Sequence, residues 1–205
     1  MDFNQKAAMW DLDPQRIERA AKFANEMKNA LGGKKLRKVL EFGSGTGLVS
    51  FQLKDEFNSI YLADTSEGMT NILKGKIEAD GIRNMTPLLI IDTSDLNVLE
   101  GIEAIYTLLT LHHVKDLDNT FKVFSSILPA GGRLFIGDLI TEDGSFHFRD
   151  PEFDGHLGFD TAKLKASLAL RGFECVNDKI FTIIEREHEG KVKKYPLFFL
   201  DLVKK

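Results

Sequence analysis

The chain is poor in cysteine and lacks any long hydrophobic run. Cys175 is the only cysteine among 205 residues, which excludes an internal disulfide and a cysteine-based metal cage. No apolar segment approaches the roughly 20 residues that a membrane-spanning helix needs. The first residues also lack the apolar core of a secretion signal. We therefore expect a cytoplasmic protein without a membrane span.

The chain also lacks an excess of basic residues. Lysine and arginine number 27 against 31 aspartates and glutamates, so the formal net charge is −4. Without positive charge to neutralise a phosphate backbone, the composition counts against a nucleic-acid substrate. Hydrophobic residues make up 43% of the chain, and its length suits a single folded unit with a full core. We expect one domain over residues 1–205.

The most informative stretch is a short apolar run that breaks into glycines. Val39–Phe42 reads as a buried strand, and a helical pattern resumes at Leu48. The turn between them is Gly43-Ser44-Gly45-Thr46-Gly47. Such a strand, glycine turn and helix start predict a nucleotide-type ligand, because the backbone can approach it closely and free N–H groups can face its negative end.

The spacing of the glycines distinguishes between two classes of cofactor. The dinucleotide fingerprint G-x-G-x-x-G would place its third glycine at position 48, where Leu48 stands. This argues against a nicotinamide-dependent oxidoreductase. Glu41 lies two residues before the first glycine, and a carboxylate there suits a ligand with an ammonium group better than it suits a diphosphate.

Three short motifs carry a resemblance to a known family. The pattern E-x-G-x-G-x-G from Glu41 resembles the first motif of the class I S-adenosylmethionine (SAM)-dependent methyltransferases, in particular its small single-domain members. Asp64–Met69 resembles the D-x-S-x-x-M that follows their second strand. Leu111-His112-His113 and Leu128–Gly132 resemble their L-H-H and L-x-P-G-G segments. The resemblance covers nearly the whole chain.

The resemblance implies an α/β fold. This is a Rossmann-like, seven-stranded and mostly parallel sheet with helices on both faces and a C-terminal antiparallel β-hairpin. The hydrophobic pattern fits it, with strands expected over residues 59–63, 86–91, 102–109, 133–137, 173–187 and 192–203. A turn at 189–190 joins the last two strands. Helices are expected over 14–31, 48–56, 66–79 and 161–170, and another from Val114 onward.

The resemblance also implies roles for individual residues. Asp64 would bind the ribose hydroxyls, as acidic residues at this strand tip do in Rossmann-like sites. Met69 would pack on the adenine, and Asp92 would accept from its amino group, with Asp95 as a competing candidate. The predicted SAM-binding set is Glu41, Gly43, Ser44, Gly45, Thr46, Gly47, Asp64, Thr65, Met69, Asp92, Thr93, Thr107 and Leu108.

The expected reaction is transfer of a methyl group from SAM to a small-molecule acceptor by in-line displacement, which leaves S-adenosylhomocysteine. The acceptor atom stays open between oxygen, nitrogen and carbon. Specificity is expected from an N-terminal cap segment (1–33) and from a polar loop (141–159), a length of connection that is typically functional. Because a hydroxyl or ammonium acceptor must lose a proton, His112 and His156 are candidate general bases.

Some alternatives stay open at this stage. A SAM-binding sensor or partner module without catalysis would carry the same motifs, and a protein or RNA acceptor would also be compatible with them. No metal site is expected, since the spacings of His147, Asp150, Asp154 and His156 fit no zinc pattern. The oligomeric state is not determined by the sequence.

Overall fold

A computed structural model describes residues 3–148, 150, 152–188 and 190–205. Met1, Asp2, Arg149, Pro151 and Glu189, which fall in segments discussed above, lie outside the described residues. The strands of the described chain are β1 (Leu36–Phe42), β2 (Phe57–Asp64), β3 (Met85–Leu89), β4 (Ala104–Leu108), β5 (Arg133–Leu139), β6 (Phe173–His188) and β7 (Lys191–Lys204).

These strands form one seven-stranded sheet in the order β3-β2-β1-β4-β5-β7-β6. The first five strands are parallel, whereas β7 lies antiparallel between β5 and β6. The strand order reverses between β1 and β4, and in open α/β sheets the carboxyl ends of the strands at such a point form the ligand crevice. The predicted fold class is confirmed.

Helices cover both faces of the sheet. They are α1 (Phe3–Lys6), α2 (Pro14–Leu31), α3 (Leu48–Leu53), α4 (Glu67–Ala79), α5 (Leu117–Ile127) and α6 (Thr161–Ala169). Residues of α2, α3 and α4 pack in one core with Val39, and those of α5 and α6 pack in another with Leu40. Successive residues of β1 thus serve opposite faces, as the period of a strand requires.

The capping residues that the sequence indicated are in place. Asp13 accepts a hydrogen bond from the backbone of Gln15 ahead of a first-turn proline, and Gly32 ends the same helix at φ 56°. Ser66 caps α4 by accepting from Met69 N at 3.2 Å. The carboxylate of Asp64 is therefore not needed as the N-cap of α4.

Several element boundaries differ from the sequence pattern for local reasons. β3 ends at Leu89 because Ile91 N donates to Asp95 Oδ2 at 2.7 Å instead of continuing the strand. The helix expected from Val114 begins instead at Leu117, because Asp116 is its N-cap. The helix expected over 48–56 ends at Leu53. β5 continues to Leu139, so Asp138 lies inside a strand.

Within the residues that the structure describes, four short 3-10 segments join these elements at the carboxyl edge. They span Ala7–Leu12, Thr93–Val98, Leu111–His113 and Ser145–His147. The last of them packs on the outer half of the β6–β7 hairpin, where Phe146, Ile184 and Tyr195 share a small core. No helix among the described residues is both long and apolar enough to cross a bilayer.

Candidate active site

A cavity of about 660 Å³ opens at the carboxyl ends of β1, β2 and β4. Its volume lies within the range typical of small-molecule sites. Most of the residues predicted to bind SAM line it, together with one candidate base. The lining residues from that set are Glu41, Gly43, Ser44, Gly45, Thr46, Asp64, Thr65, Met69, Asp92, Thr93, Leu108 and His112.

Three predicted site residues are not part of the cavity wall. Gly47 precedes α3 at φ 82°, where an added Cβ would lie 2.7 Å from Leu73 Cδ1, so its glycine serves the turn. Thr107 is buried within β4. His156 bonds through Nε2 to Val114 O at 2.9 Å. The site roles of these three residues stay predictions without support from the cavity.

The glycine turn differs from its expected form in where its N–H groups point. Gly43 N and Ser44 N donate to Ala63 O at 2.8 and 3.0 Å, and Gly47 N donates to Ser44 O at 2.8 Å. Gly45 N donates to Asp64 Oδ2 at 2.7 Å. The expectation that these amides are free for an anionic ligand is therefore wrong for these four groups, because β2 supplies three of the acceptors and the turn itself supplies the fourth.

Glu41 lies at the floor of the cavity and is almost fully buried. One carboxyl oxygen accepts from Ser50 Oγ, which also bonds to Tyr106 Oη at 2.6 Å. Burial raises the pKa of Glu41 to about 8, a rise that the Ser50 hydrogen bond only partly offsets. The carboxyl group is thus protonated at neutral pH and ready to ionise beside a cation.

Asp64 and Asp92 lie at the ends of β2 and β3. Asp64 accepts from Gly45 N and from Ser66 N at 2.8 Å, and burial raises its pKa. Each of its oxygens keeps a further lone pair for a ligand. Asp92 lines the cavity at its exposed rim, whereas Asp95 closes a capping box with it. This arrangement favours Asp92 over Asp95 as the ligand contact.

The N-terminal segment covers the cavity and is fastened to the walls. Phe3 and Trp10 line the cavity. Asn4 Oδ1 accepts from Ser66 Oγ and from Gly68 N, both at 2.8 Å. Asp11 accepts from Thr46 Oγ1 at 2.5 Å and pairs with Lys76 Nζ at 2.6 Å. The segment therefore both packs on the fold and roofs the site.

Two arginines of α2 add positive charge to the same wall. Arg16 stacks on the ring of Trp10 at 3.7 Å and pairs with Asp13. Arg19 forms no ion pair within the described part of the chain, and burial lowers the pKa of its guanidinium to about 10. Sequence reasoning missed Arg19, because the helical pattern does not tell which polar residue of α2 faces a cavity.

The opposite end of the cavity is lined by histidines. His112 is buried, and its Nδ1 lies 2.6 Å from Oδ1 of the fully buried Asp138. His113 and His147 line the cavity beside it. Burial, together with the neighbouring His112, lowers the pKa of His113 to about 2 and that of His147 to about 4. Both rings are therefore neutral at pH 7.

Aromatic and cationic groups from distant segments surround these rings. His147 stacks on Phe153 with ring centroids 3.7 Å apart. Arg186 of β6 lies over Phe146 at 3.6 Å and lines the cavity. The sequence did not predict the contribution of Asp138, although an acid near the end of a predicted strand was a usable signal.

Comparison with known proteins agrees with this geometry. A family model described as a methyltransferase domain matches residues 13–177. The uncharacterized methyltransferase C1347.09 of Schizosaccharomyces pombe is 32% identical over 116 residues, which cover 53% of this chain and 41% of the yeast protein. The matched stretch thus covers less than half of the length of that relative.

Solved structures share the fold at low sequence identity. A SAM-dependent methyltransferase from Clostridium acetobutylicum has a TM-score of 0.72, with 16% identity over 98% of both chains. Phosphoethanolamine N-methyltransferase 2 of Haemonchus contortus, solved with phosphomonomethylethanolamine and S-adenosylhomocysteine, has a TM-score of 0.66. It is 14% identical over 83% of this chain and 49% of the nematode chain. With its family model matched over most of its length, the chain belongs to the methyltransferase-domain family, and its fold is the one that the class I SAM-dependent methyltransferases share.

Proposed function

We propose that the protein transfers a methyl group from SAM to a small-molecule acceptor. The observation that carries the proposal is that a single cavity joins two chemically different ends. Glu41 and Asp64 line one end, and His112 with His147 lines the other. A nucleoside cofactor and an acceptor would therefore meet inside one enclosure, as group transfer between them requires.

The nucleoside end fits the adenosine part of SAM. Asp64 keeps lone pairs for ribose hydroxyls after accepting from Gly45 N and Ser66 N. Met69 is buried at the cavity wall and offers an apolar surface to a purine ring. Asp92 at the rim would accept from the adenine amino group, in line with the family resemblance.

The methionine end of SAM needs partners for an ammonium and a carboxylate group. Glu41 would hold the ammonium group, because it is a buried acid on the cavity floor. Arg19 would hold the carboxylate, because its half-buried guanidinium has no salt-bridge partner among the described residues. The ammonium and carboxylate groups of SAM would then each face a side chain of opposite charge. Because both side chains are largely shielded from water, these contacts would be stronger than in solvent.

When bound, SAM would supply an electrophilic methyl group on its sulfonium, and transfer of that group to an acceptor lone pair would leave S-adenosylhomocysteine. The residues of the chain exclude water and orient the acceptor. The carboxylate of Asp138 fixes the His112 ring through Nδ1, which leaves Nε2 to accept a proton from a hydroxyl or ammonium acceptor. His112 is therefore the preferred general base, since His156 does not line the cavity.

A small acceptor fits the enclosure better than a macromolecule does. The N-terminal segment roofs the cavity through Asn4 and Asp11, and Phe146 and Arg186 wall its far end. This partial cover favours an acceptor that enters the cavity over one that lies across an open face. The net charge of −4 also gives no general attraction for RNA.

Binding of SAM and S-adenosylhomocysteine by Asp64→Asn tests the nucleoside site. We expect the variant to bind about 10- to 100-fold more weakly, because a charge-assisted hydrogen bond is lost. Isothermal titration calorimetry measures the affinity. The control is Asp80→Asn, which changes an exposed acid at the end of α4. Equal affinity in Asp64→Asn and Asp80→Asn would contradict the assignment.

Catalysis is tested separately from binding. Wild-type protein incubated with methyl-deuterated SAM and a small-molecule extract should yield S-adenosylhomocysteine together with a deuterium-labelled product, both detected by mass spectrometry. Tight SAM binding without a labelled product in small-molecule, protein or RNA fractions would favour a non-catalytic SAM-binding module. Labelling only in the protein or RNA fraction would overturn the small-molecule acceptor.

A further inference from the structure

Three imidazole rings meet at the acceptor end of the cavity. His112 and His113 lie on the 3-10 turn that follows β4, and His147 lies on the Ser145–His147 turn. One nitrogen atom from each ring can be chosen so that all three lie within 4.8 Å of one another. Neighbouring rings have centroids 4.1 to 5.4 Å apart.

His147 shows that this cluster is not explained by ordinary hydrogen bonding. The residue is only 6% exposed. Both of its ring nitrogens are buried, and neither has a hydrogen-bond partner in the described part of the chain. A buried polar atom is nearly always paired, so two orphaned nitrogens on one cavity-lining ring point to a ligand that they would bind.

Asp138 holds His112 in an orientation that suits ligand binding. Its carboxylate lies 2.6 Å from His112 Nδ1 and is fully buried. This contact fixes the tautomer and leaves the Nε2 lone pair available. A carboxylate behind an imidazole is the usual support of a metal-ligating histidine, because it orients the ring and raises its basicity.

We propose that His112, His113 and His147 bind one divalent transition-metal ion, with Zn²⁺ the best match to three imidazole ligands. A Zn–N bond of 2.0–2.1 Å places tetrahedral ligand nitrogens about 3.4 Å apart. The rings would close by side-chain shifts on the order of 1 Å from their present separation. Because all three residues line the cavity, a fourth position would be open to a substrate, as in zinc sites that act on one. The expectation of no metal, drawn from residue spacing, considered a different set of ligands.

The site changes the role of His112. Its Nε2 lone pair can bind a metal ion or accept a proton, but not both. An acceptor oxygen, nitrogen or sulfur at the open position would lose its proton more readily, because the divalent charge stabilises the deprotonated form. The metal site does not depend on the proposed methyl transfer and is tested by binding alone.

The experiment uses the full chain without a histidine tag, stripped with a chelator. Zn²⁺ is titrated against a chromophoric chelator, and Co²⁺ binding is followed by visible absorption. We expect one equivalent of either ion per chain and the intense Co²⁺ spectrum of a four- or five-coordinate site. In His147→Phe, which keeps a ring to stack on Phe153, stoichiometric binding should be lost.

Two further variants sharpen the result. Asp138→Asn should weaken Zn²⁺ binding about 10- to 100-fold, as loss of a carboxylate behind a metal-bound histidine does. The matched control is His156→Gln, which keeps a side-chain donor near Val114 O and should retain one equivalent. Circular dichroism and S-adenosylhomocysteine binding confirm that each variant is folded.

The outcomes separate this proposal from the function proposed above. Wild-type protein that binds S-adenosylhomocysteine but no stoichiometric Zn²⁺ overturns the metal site and leaves methyl transfer standing. Unchanged Zn²⁺ binding in His147→Phe also overturns it. One equivalent of Zn²⁺ without cofactor binding would support the metal site and count against methyl transfer.

Discussion

The proposed contact of Glu41 with the SAM ammonium group would make cofactor binding depend on pH. Its pKa of about 8 results from burial, so the group is protonated at pH 7. A bound ammonium group would stabilise the ionised form, and binding would then release a proton. We expect the SAM affinity to rise with pH, by up to about tenfold per unit, until it levels above pH 8. Calorimetry in two buffers with different ionisation enthalpies measures the proton released.

Glu41→Gln provides the control and a second measurement. It should remove the pH dependence of binding. Because the folded pKa is raised above its usual 4.5, the stability that the protonated group contributes is fully present below about pH 4.5 and is lost as the pH rises through about 8. The ligand-free variant should therefore melt at a higher temperature than wild type at alkaline pH. Parallel pH profiles of the two proteins would rule out the coupling.

A variant of Arg19 tests the proposed binding of the methionine part of SAM separately from that of the nucleoside part. Arg19→Met removes the proposed partner of the methionine carboxylate but keeps an apolar stem. We expect S-adenosylhomocysteine to bind about 10- to 100-fold more weakly, in line with loss of a charge-assisted hydrogen bond. Binding of 5′-methylthioadenosine, which lacks the amino-acid part, should not change. Fluorescence-detected titration measures both affinities.

The control for this variant is Arg37→Met, at the opposite end of β1, where the side chain is 81% exposed. It should affect neither ligand. An equal loss of affinity for both nucleosides in Arg19→Met would indicate a general disturbance of the cavity instead of a carboxylate contact.

At the scale of elements, the N-terminal segment covers the cavity and is held there by a few hydrogen bonds and an ion pair. Asp11 accepts from Thr46 Oγ1 and pairs with Lys76, and α1 contributes no buried residue of its own. Asp11→Ala should therefore speed hydrogen exchange over residues 3–12 and the dissociation of SAM, with little change in global stability. Exchange mass spectrometry and stopped-flow measurements check the two rates.

Asp118→Ala is a matched comparison for the roof, because it breaks an exposed ion pair with Arg171 and neither residue lines the cavity. It should alter neither rate. Dissociation as slow in Asp11→Ala as in wild type would mean that the roof does not gate the cofactor.

Elements with a strong local signal were predictable, and those set by tertiary contacts were not. The caps Asp13 and Ser66 predicted where two of the main helices begin. The apolar runs predicted the strands. The 3-10 segments carry no such pattern. Leu109 adopts φ 53° at the end of β4, a conformation that sequence alone does not suggest for leucine.

At the scale of the whole molecule, the parallel sheet allowed much of the site to be predicted. The ends of parallel strands share one edge, which is why Glu41, Asp64 and Asp92 could be placed together from sequence. The acceptor end could not be predicted in the same way. His147 reaches His112 only because its turn packs on the hairpin through Phe146 and Tyr195, and no local pattern encodes that contact.

The long β6–β7 hairpin supports only one of the two ends of the cavity. β6 spans 16 residues, and its outer half carries Arg186 and supports the turn that holds His147. The glycine turn and the tips of β2 and β3 take no part in that support. Lengthening, shortening or grafting the hairpin would therefore change the histidine end of the cavity and leave the glycine turn in place, so the two ends of one cleft can vary separately.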